Sequence, residues 1–546
     1  MSIDYQNSKQ DDPAVKPATS TTEFIAPVNH TSTFPTTLAD LDHHLPLVSS
    51  GTNKSIYSTL SALRKSTLSI PNRLTSVLQD ANFVEALQHY LNDHCSSHQS
   101  KDAIWPLIPN ERSGSWALDP ALKLESQTSF LSQEPRNEKR VDVQPVSAYF
   151  KSTDGHVSQW SFSTRRLNLP VLQLLGHASS QGTGCVLIDT TRRGKSYPDA
   201  LRRTVPIWST VWNRVLFPEM VDSGYCDFQS FGLEGSETSQ IESRIPQFAA
   251  DLRALGLSLE DLRQKVKCPV RCVWVSQPGD KQHWEECFEN LVQQIQSETW
   301  RSQQASGTNN INILICCSAS KRVLGAEMSE DGYIQGAGDD SEGWSRGLTA
   351  KLFWDNKQVL MEAVHEGADL EQLVDDIVAS SKVSQHVGHA ILVAPTTNLF
   401  IATGSNEVSK QTRETFSIVI ACNANVQQDD EKLLALGCKQ GKLGSKVLRE
   451  KLVQVKARCE QTLKKTPNAK VLVTCSTGRD LSVGVVLVLL CCFYHDQGTI
   501  DFFRFRSIDK QFIKQRLAWI TSSKPDANPS RATLQAVNSF LMGRSD

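Results

Sequence analysis

The chain lacks any apolar run long enough to cross a bilayer. Its longest, Val483–Phe493, falls well short of the ~20 residues a membrane helix requires. It also lacks net charge: 57 Lys and Arg stand against 59 Asp and Glu, a balance of -2. No global basic field advertises nucleic acid, so any such contact must come from local patches. The N-terminus carries Asp4, Asp11 and Asp12, which argues against an Arg-rich, acid-poor transit peptide. No secretory signal precedes the 14 cysteines, and Cys316, Cys317, Cys491 and Cys492 sit inside apolar runs. Reduced thiols in a cytoplasmic protein are therefore expected. Cys268 with Cys272, and His94 with Cys95 and His98, have no second ligand pair at zinc-finger spacing, so no structural zinc is expected. There is no internal repeat.

What is present is enough apolar sequence, 39% over 546 residues, for about three to four compact units. Residues 1–50 are rich in Ser, Thr and Pro without apolar periodicity and read as a disordered tail. Helices are expected at Ser55–Arg64 and Asn82–His94. A large mixed region follows. Its expected strands are Val146–Phe150, Cys185–Ile188, Arg271–Val275 and Asn312–Cys316, and its helices Pro246–Ala254, Leu259–Lys265, Trp284–Ile295 and Leu370–Ala379. Ser126–Arg140 and Gln303–Asn310 read as polar loops. This alternation predicts an α/β architecture. From about His386 a second α/β unit is expected, with strands Ala390–Ala394, Leu399–Ile401, Ser417–Ala421 and Lys470–Thr474 and helices Lys439–Leu463, Lys510–Ile520 and Arg531–Met542.

In the second unit an apolar strand runs into Cys475-Ser-Thr-Gly-Arg-Asp480-Leu-Ser482-Val-Gly484 and then an apolar helix. Such a turn aims backbone N–H groups and a helix dipole at one centre, which suits phosphate. It has the layout of the cysteine phosphatase loop, H-C-x5-R-S/T. Thr474 stands in the His position, however, and Leu481 in the Arg position. A loop of this kind is predicted to hold phosphate, through Ser476, Thr477, Gly478 and Arg479, without cleaving it. Cys475 reads as a packed thiol.

Three segments of the first unit carry chemistry. Lys151 to Asn168 gathers Lys151, Asp154, His156, Arg165 and Arg166 around a glycine turn. Asp189-Thr-Thr-Arg192-Arg193-Gly-Lys195 follows a buried strand, where α/β sheets bind ligands. Gly332 to Trp344 holds Asp339 and Asp340, adjacent carboxylates that suit Mg²⁺ or a general base. Together, cations and carboxylates favour a phosphorylated, Mg²⁺-bound ligand. Taken singly, each also reads as a solvated loop. Two basic stretches could meet RNA. One contains Arg202 and Arg203 with Trp208 and Trp212 interleaved. The other, residues 439–465, contains Lys446 and Arg449. A solvated helix face is the competing account.

Arg165-Arg166-Leu-Asn168-Leu, Asp189-x-Thr191-Arg192-Arg193-Gly194-Lys195-x-x-Pro198-Asp199-Ala200-Leu201, Thr204-Val-Pro206-Ile-Trp208, Tyr333-Ile-Gln335-Gly336-Ala-x-Asp339-Asp340 and Cys475-Ser-Thr-Gly-x-Asp480-Leu-Ser482-Val-Gly484 together resemble the initiator tRNA 2′-O-ribosyl-phosphate transferases of fungi and plants. The resemblance implies transfer of 5-phosphoribosyl from 5-phosphoribosyl-1-pyrophosphate to the 2′-OH of a T-stem adenosine in initiator methionine tRNA. It also implies a catalytic, donor-binding domain at 51–384 and a C-terminal domain at 385–546 that is similar to dual-specificity phosphatases. On this reading Asp339 and Asp340 serve Mg²⁺ or base roles. Arg165, Arg166, Arg192 and Lys195 hold donor phosphates, and Ser476–Arg479 hold a donor or tRNA phosphate. Arg202, Arg203, Lys446 and Arg449 meet tRNA. No membrane and no stable protein partner are expected. The alternatives are an active cysteine phosphatase and a non-catalytic RNA-binding pseudophosphatase.

Overall fold

The computed structural model describes residues 69–95, 104–133, 145–192, 194–219, 232–306, 311–324, 328–329, 331–383, 388–404, 408–425, 430–439, 441–502 and 508–543. The expected tail and the helix Ser55–Arg64 lie outside them, as does the boundary near His386. Residues 63–546 form one compact unit built on two sheets.

The first sheet contains β1 (Leu107–Pro109), β2 (Cys185–Asp189), β3 (Val270–Ser276) and β4 (Asn312–Ser318), all parallel, in the order β1-β2-β4-β3. Successive side chains alternate between faces. Cys185, Leu187, Leu314 and Cys316 point toward helices α1 (Leu169–Ser180), α2 (Val205–Leu216) and α3 (Leu259–Val266). Val186, Ile188, Ile313 and Ile315 point toward the other layer, helices Ile70–Cys95 and Trp284–Ser306. β2 and β4 are covered on both faces and read in sequence as apolar runs rather than alternating ones, whereas β3 keeps Arg271, Trp274 and Ser276 half-buried.

Strands β2, β3 and β4 fall where expected, one or two residues longer. Val146–Phe150 does not form a strand. Ala148 makes a single bridge to Asn110, while the N–H groups of Val146 and Phe150 donate to the side chains of Gln127 and Asn110 at 2.6 and 2.9 Å. The polar stretches are partly helical, at Thr128–Gln133 and through Ser306. Leu169–Ser180 and Val205–Leu216 are helices that periodicity did not reveal. Helices Ala350–Asp355, Lys357–Glu366 and Leu370–Val383 form a further layer around Leu74, Trp116 and Trp344.

The second sheet has the order β5-β6-β9-β7-β8: β5 (Ile391–Leu392), β6 (Leu399–Thr403), β7 (Ile418–Ala421), β8 (Leu433–Ala435) and β9 (Val471–Cys475). Only the β5–β6 pair is antiparallel. β9 sits at the centre and delivers its C-terminal Cys475 to the loop predicted above. Helix α4 (Gly441–Lys465) precedes β9. Helix α5 (Leu481–Phe493) leaves the loop and is buried on every side except at Cys492, as expected of a helix that is apolar all round. Helices α6 (Lys510–Ser523) and α7 (Arg531–Leu541) pack on it. α6 also reaches the first unit: Gln511 and Gln515 both donate to the carbonyl of Ala254, at 2.6 and 2.9 Å.

Candidate active site

The C-terminal ends of β1, β2 and β4 are tied together by Asp189. Its carboxylate accepts from Asn110 Nδ2 at 2.9 Å, Ser113 Oγ at 2.5 Å and the Thr190 N–H at 3.0 Å. Its carbonyl accepts from the Ala319 N–H at 2.9 Å. Burial pushes the Asp189 carboxyl above the usual carboxylate range against these hydrogen bonds. Asp189 is fully buried and is a strut, not a ligand.

Around this point three arginines from distant parts of the chain meet Asp339 and Asp340. Arg112 lies against Asp339 Oδ1, and Arg192 Nε lies 3.5 Å from Asp339 Oδ2. Arg192 also pairs with Asp340 Oδ1, and Arg73 Nη1 approaches Asp340 Oδ2 at 3.4 Å. The Asp339 side chain is only 6% exposed, whereas that of Asp340 is 38% exposed. The motif around Gln335 explains how the cluster is built. Gln335 is buried, accepts from the N–H groups of Gly194 and Val323 at 3.0 and 2.9 Å, and donates to the Lys195 carbonyl at 2.7 Å. It clasps the Arg192 loop to the Asp339 loop. Gly336 has φ +70°, and a Cβ there would stand 2.6 Å from the Thr191 carbonyl; glycine alone permits that approach.

A second group of cations lies between the two sheets. Arg112 leads to it by donating to Ser152 Oγ at 3.0 Å. Lys151 and Arg165 are exposed and Arg166 is half-buried. Burial lowers the Lys151 ammonium, and repulsion from Arg166 and Arg165 lowers it further. Arg166 donates to Asn528 Oδ1 at 2.6 Å, and the Asn528 N–H donates to the Arg479 carbonyl at 2.8 Å. Arg479, half exposed, pairs with Asp526 at 2.9 Å, and Lys524 pairs with the same carboxylate at 2.7 Å. Beside Arg166 a cavity of ≈ 10 Å³ is lined by Tyr149, Asp154, Ser161 and Trp208. That is room for one water-sized group.

The Cys475 loop departs from the expected open cradle. The Ser476 N–H donates to Asn423 Oδ1 at 2.7 Å, the Gly478 N–H to the Cys475 carbonyl at 3.0 Å, and the Arg479 N–H to Thr477 Oγ1 at 3.2 Å. Gly478 is buried and, at φ +62°, a Cβ would stand 2.5 Å from Thr403 Oγ1. What the loop offers outward is Thr477 and the Arg479 side chain. Cys475 is 2% exposed, with its sulfur 3.1 Å from Ser482 Oγ and 3.6 Å from Thr477 Oγ1. Burial raises the thiol, but these hydroxyls and the backbone N–H groups of Ser482 and Asp480 outweigh it and leave it below the ordinary value. Asp480 turns away from the rim: its Oδ1 accepts from the Ser530 N–H at 2.8 Å and Thr533 Oγ1 at 2.6 Å, at the start of α7.

The RNA residues divide. Arg203 is 8% exposed and paired with Glu237 at 2.6 Å and Asp199 at 3.0 Å, so it braces the core rather than facing a phosphate backbone. Trp208 and Trp212 are likewise core residues. Arg202 donates to the Gly232 carbonyl at 2.7 Å. Lys195 is exposed and pairs with Asp199 at 3.0 Å. Arg193 lies outside the described residues. Lys446 is exposed and Arg449 half-buried on α4. Lys446 follows Ser445, which contacts Thr533 at 3.1 Å, so this end of α4 adjoins the Asp480 turn. Arg73 and Arg112 escaped the sequence reading because neither stands in a motif.

Fold and site together define a two-sheet α/β protein, with a cluster of arginines and aspartates at parallel strand ends and a phosphatase-type loop that has leucine in place of its arginine. Residues 63–379 match the Rit1 N-terminal domain and residues 432–541 the Rit1 DUSP-like domain. The chain belongs to the Rit1 family, and the expected dual-specificity-phosphatase-like unit is borne out. It is 29% identical over 538 residues to the tRNA A64-2'-O-ribosylphosphate transferase of Saccharomyces cerevisiae, spanning 90% of this chain and 96% of that one. It is 28% identical over 490 residues to an uncharacterised protein of Schizosaccharomyces pombe, spanning 86% and 94%. The PTP-2 phosphatase structure of Cydia pomonella aligns with 28% of this chain at 15% identity and a TM-score of 0.21, too low to weigh in the assignment.

Proposed function

We propose that this chain transfers 5-phosphoribosyl from 5-phosphoribosyl-1-pyrophosphate to the 2′-OH of adenosine 64 in initiator methionine tRNA, releasing pyrophosphate and so excluding the tRNA from elongation. The activity named for the Saccharomyces cerevisiae relative supports the acceptor. The observation that carries the reading is the meeting of cations from both units: Arg166, with Lys151 and Arg165 beside it, reaches the Arg479 carbonyl through Asn528. Burial, and then repulsion from Arg166 and Arg165, lowers the Lys151 ammonium, and such a place is one that an anion would stabilise.

In this reading the donor's pyrophosphate lies at Arg73, Arg112 and Arg192, with Lys195 at the margin. Its 5-phosphate lies at Arg165, Arg166 and Arg479, with Thr477 at the rim. Guanidinium groups suit this because they pair bidentately with phosphate oxygens. Lys446 and Arg449 extend the basic surface along the tRNA backbone, and the reaction is cytoplasmic. No helix among the described residues is long and apolar enough to cross a membrane.

Asp339 and Asp340 fit Mg²⁺ only in part. Both are engaged by guanidinium groups, and among the described residues no group of three His, Cys, Asp or Glu could hold a metal. Asp340, the more exposed, fits a Mg²⁺ that arrives with the pyrophosphate and keeps most of its ligands on phosphate and water. Such an ion would neutralise the leaving group. Asp339 orients Arg112 and Arg192.

The lowered Cys475 thiol favours a second reading, a cysteine phosphatase. Against it, Leu481 is 4% exposed in the arginine position and Arg479 is bound to Asp526. A missing arginine at a transferring phosphoryl group costs roughly 10³–10⁵ in rate. The test is incubation with unmodified initiator tRNA, Mg²⁺ and donor labelled in its ribose. Label entering the tRNA supports the transferase. Folded protein that instead releases phosphate from p-nitrophenyl phosphate, and loses this on Cys475→Ser, would be a phosphatase.

A further inference from the structure

Transfer to a ribose hydroxyl requires a group that takes the hydroxyl proton, and the carboxylates at the sheet end are poorly suited to it. Asp189 is buried and receives three hydrogen bonds. Asp339 is enclosed by Arg112 and Arg192, and Asp340 by Arg192 and Arg73. A carboxylate paired with guanidinium is a weak base.

Asp154 is less tightly engaged: among the described residues its carboxylate forms no ion pair of the kind that holds Asp339 and Asp340. It lies in the turn Ser152–Gly155, whose place is set by close packing: a Cβ on Gly155 would stand 2.8 Å from the Asp199 carbonyl and 2.7 Å from Thr204 Oγ1. The Asp154 N–H donates to the Lys151 carbonyl at 3.1 Å, and the Ser161 N–H donates to the Asp154 carbonyl at 2.9 Å. Its backbone is therefore held on both sides. Its carboxylate, by contrast, accepts one long hydrogen bond, from Ser161 Oγ at 3.4 Å. It borders the ≈ 10 Å³ cavity shared with Tyr149 and Arg166. A space for one water-sized group fits a single hydroxyl oxygen.

We propose that Asp154 is the general base of the transfer, receiving the proton of the acceptor 2′-OH at this cavity. The inference rests on the transferase reading. The 2′ oxygen forms a bond to C1 of the donor ribose. The bond from C1 to the pyrophosphate oxygen breaks, and its electron pair leaves with pyrophosphate. The 2′-OH proton passes to the Asp154 carboxylate.

The charged groups facing Asp154 are Arg166, Lys151 and Arg165. Burial raises its carboxyl above the usual range, and these three cations only partly offset that. A base raised toward the working pH is the more effective one. The cations also keep the carboxylate beside the phosphate they bind.

The experiment is single-turnover transfer of labelled phosphoribosyl to unmodified initiator tRNA over the acid to neutral range, using the full chain. The wild-type rate is expected to rise with pH along an acid limb lying above the range of a free carboxylate. Asp154→Asn is expected to lower the rate by on the order of 10²–10⁴-fold and to abolish the limb, with tRNA affinity unchanged. Asp154→Glu should restore part of the rate and the limb. A wild-type rate that is flat through the acid range overturns the proposal without any substitution. So does an Asp154→Asn protein that binds tRNA and keeps both rate and limb. A wild-type protein that transfers no label at all overturns instead the reaction on which the proposal rests.

Discussion

Arg166 Nη2 donates to Asn528 Oδ1 at 2.6 Å, joining residues 362 positions apart and bringing the first unit's cations against the phosphatase-like loop. Arg166→Ala removes this link and, on the proposed function, one phosphate partner together. Its apparent donor KM should rise roughly tenfold, about 1.4 kcal/mol and below the full value of a charge-assisted hydrogen bond. Arg166→Lys should recover little, because an ammonium cannot reproduce the planar fork. Steady-state kinetics against donor concentration measure both.

Substituting Asp339 and Asp340 by Asn leaves Arg73, Arg112 and Arg192 without their carboxylates. Transfer should fall by on the order of 10²–10³-fold, the usual loss when a charge-stabilising constellation is disordered. tRNA affinity should stay within about threefold, since the cations proposed to meet tRNA lie elsewhere. Near-normal transfer by the double variant would sink the assignment.

Cys475→Ser should keep most transferase activity. The sulfur is buried against Ser482 and Thr477, and a serine hydroxyl can take over the same contacts. The stability change should be about 1 kcal/mol. Total loss of transfer in protein with an unchanged circular dichroism spectrum would assign the thiol a chemical role.

Lys446 and Arg203 should separate cleanly. Lys446→Ala should weaken tRNA binding and reduce the slope of log affinity against log salt by about 1. Arg203→Ala should instead destabilise the fold by about 3 kcal/mol, since Glu237 and Asp199 lose a buried partner. Filter binding across salt and chemical denaturation distinguish the two.

Gly478→Ala should lower stability by about 1–3 kcal/mol, because φ +62° disfavours a side chain and Thr403 blocks the Cβ. A melting temperature equal to that of the wild type would show that the loop adopts another conformation.

Among the strands that sequence reading located, β2, β4 and β9 are buried on both faces and so appear as apolar runs. β1 and β8 span three residues each, too short for any pattern. Val146–Phe150 has a strand's composition, but side-chain acceptors claim its amides. Arg192 was legible because it stands beside Arg193 and Lys195 after an apolar strand, and Asp339 and Asp340 because they are adjacent carboxylates. Arg73 and Arg112 become visible only when the strand ends converge. Arg203 was misread because charge along the chain does not reveal Glu237, 34 residues away.

Asp189 is the keystone beneath the arginine–aspartate cluster, joining three strand ends by hydrogen bonds that involve no ligand. The dipoles and guanidinium groups mounted around it are therefore already aimed before substrate arrives. In the proposed reaction, water at the same place would have to turn as charge moved from ribose to pyrophosphate. This scaffold does not, and that saved solvent reorganisation is available to lower the barrier.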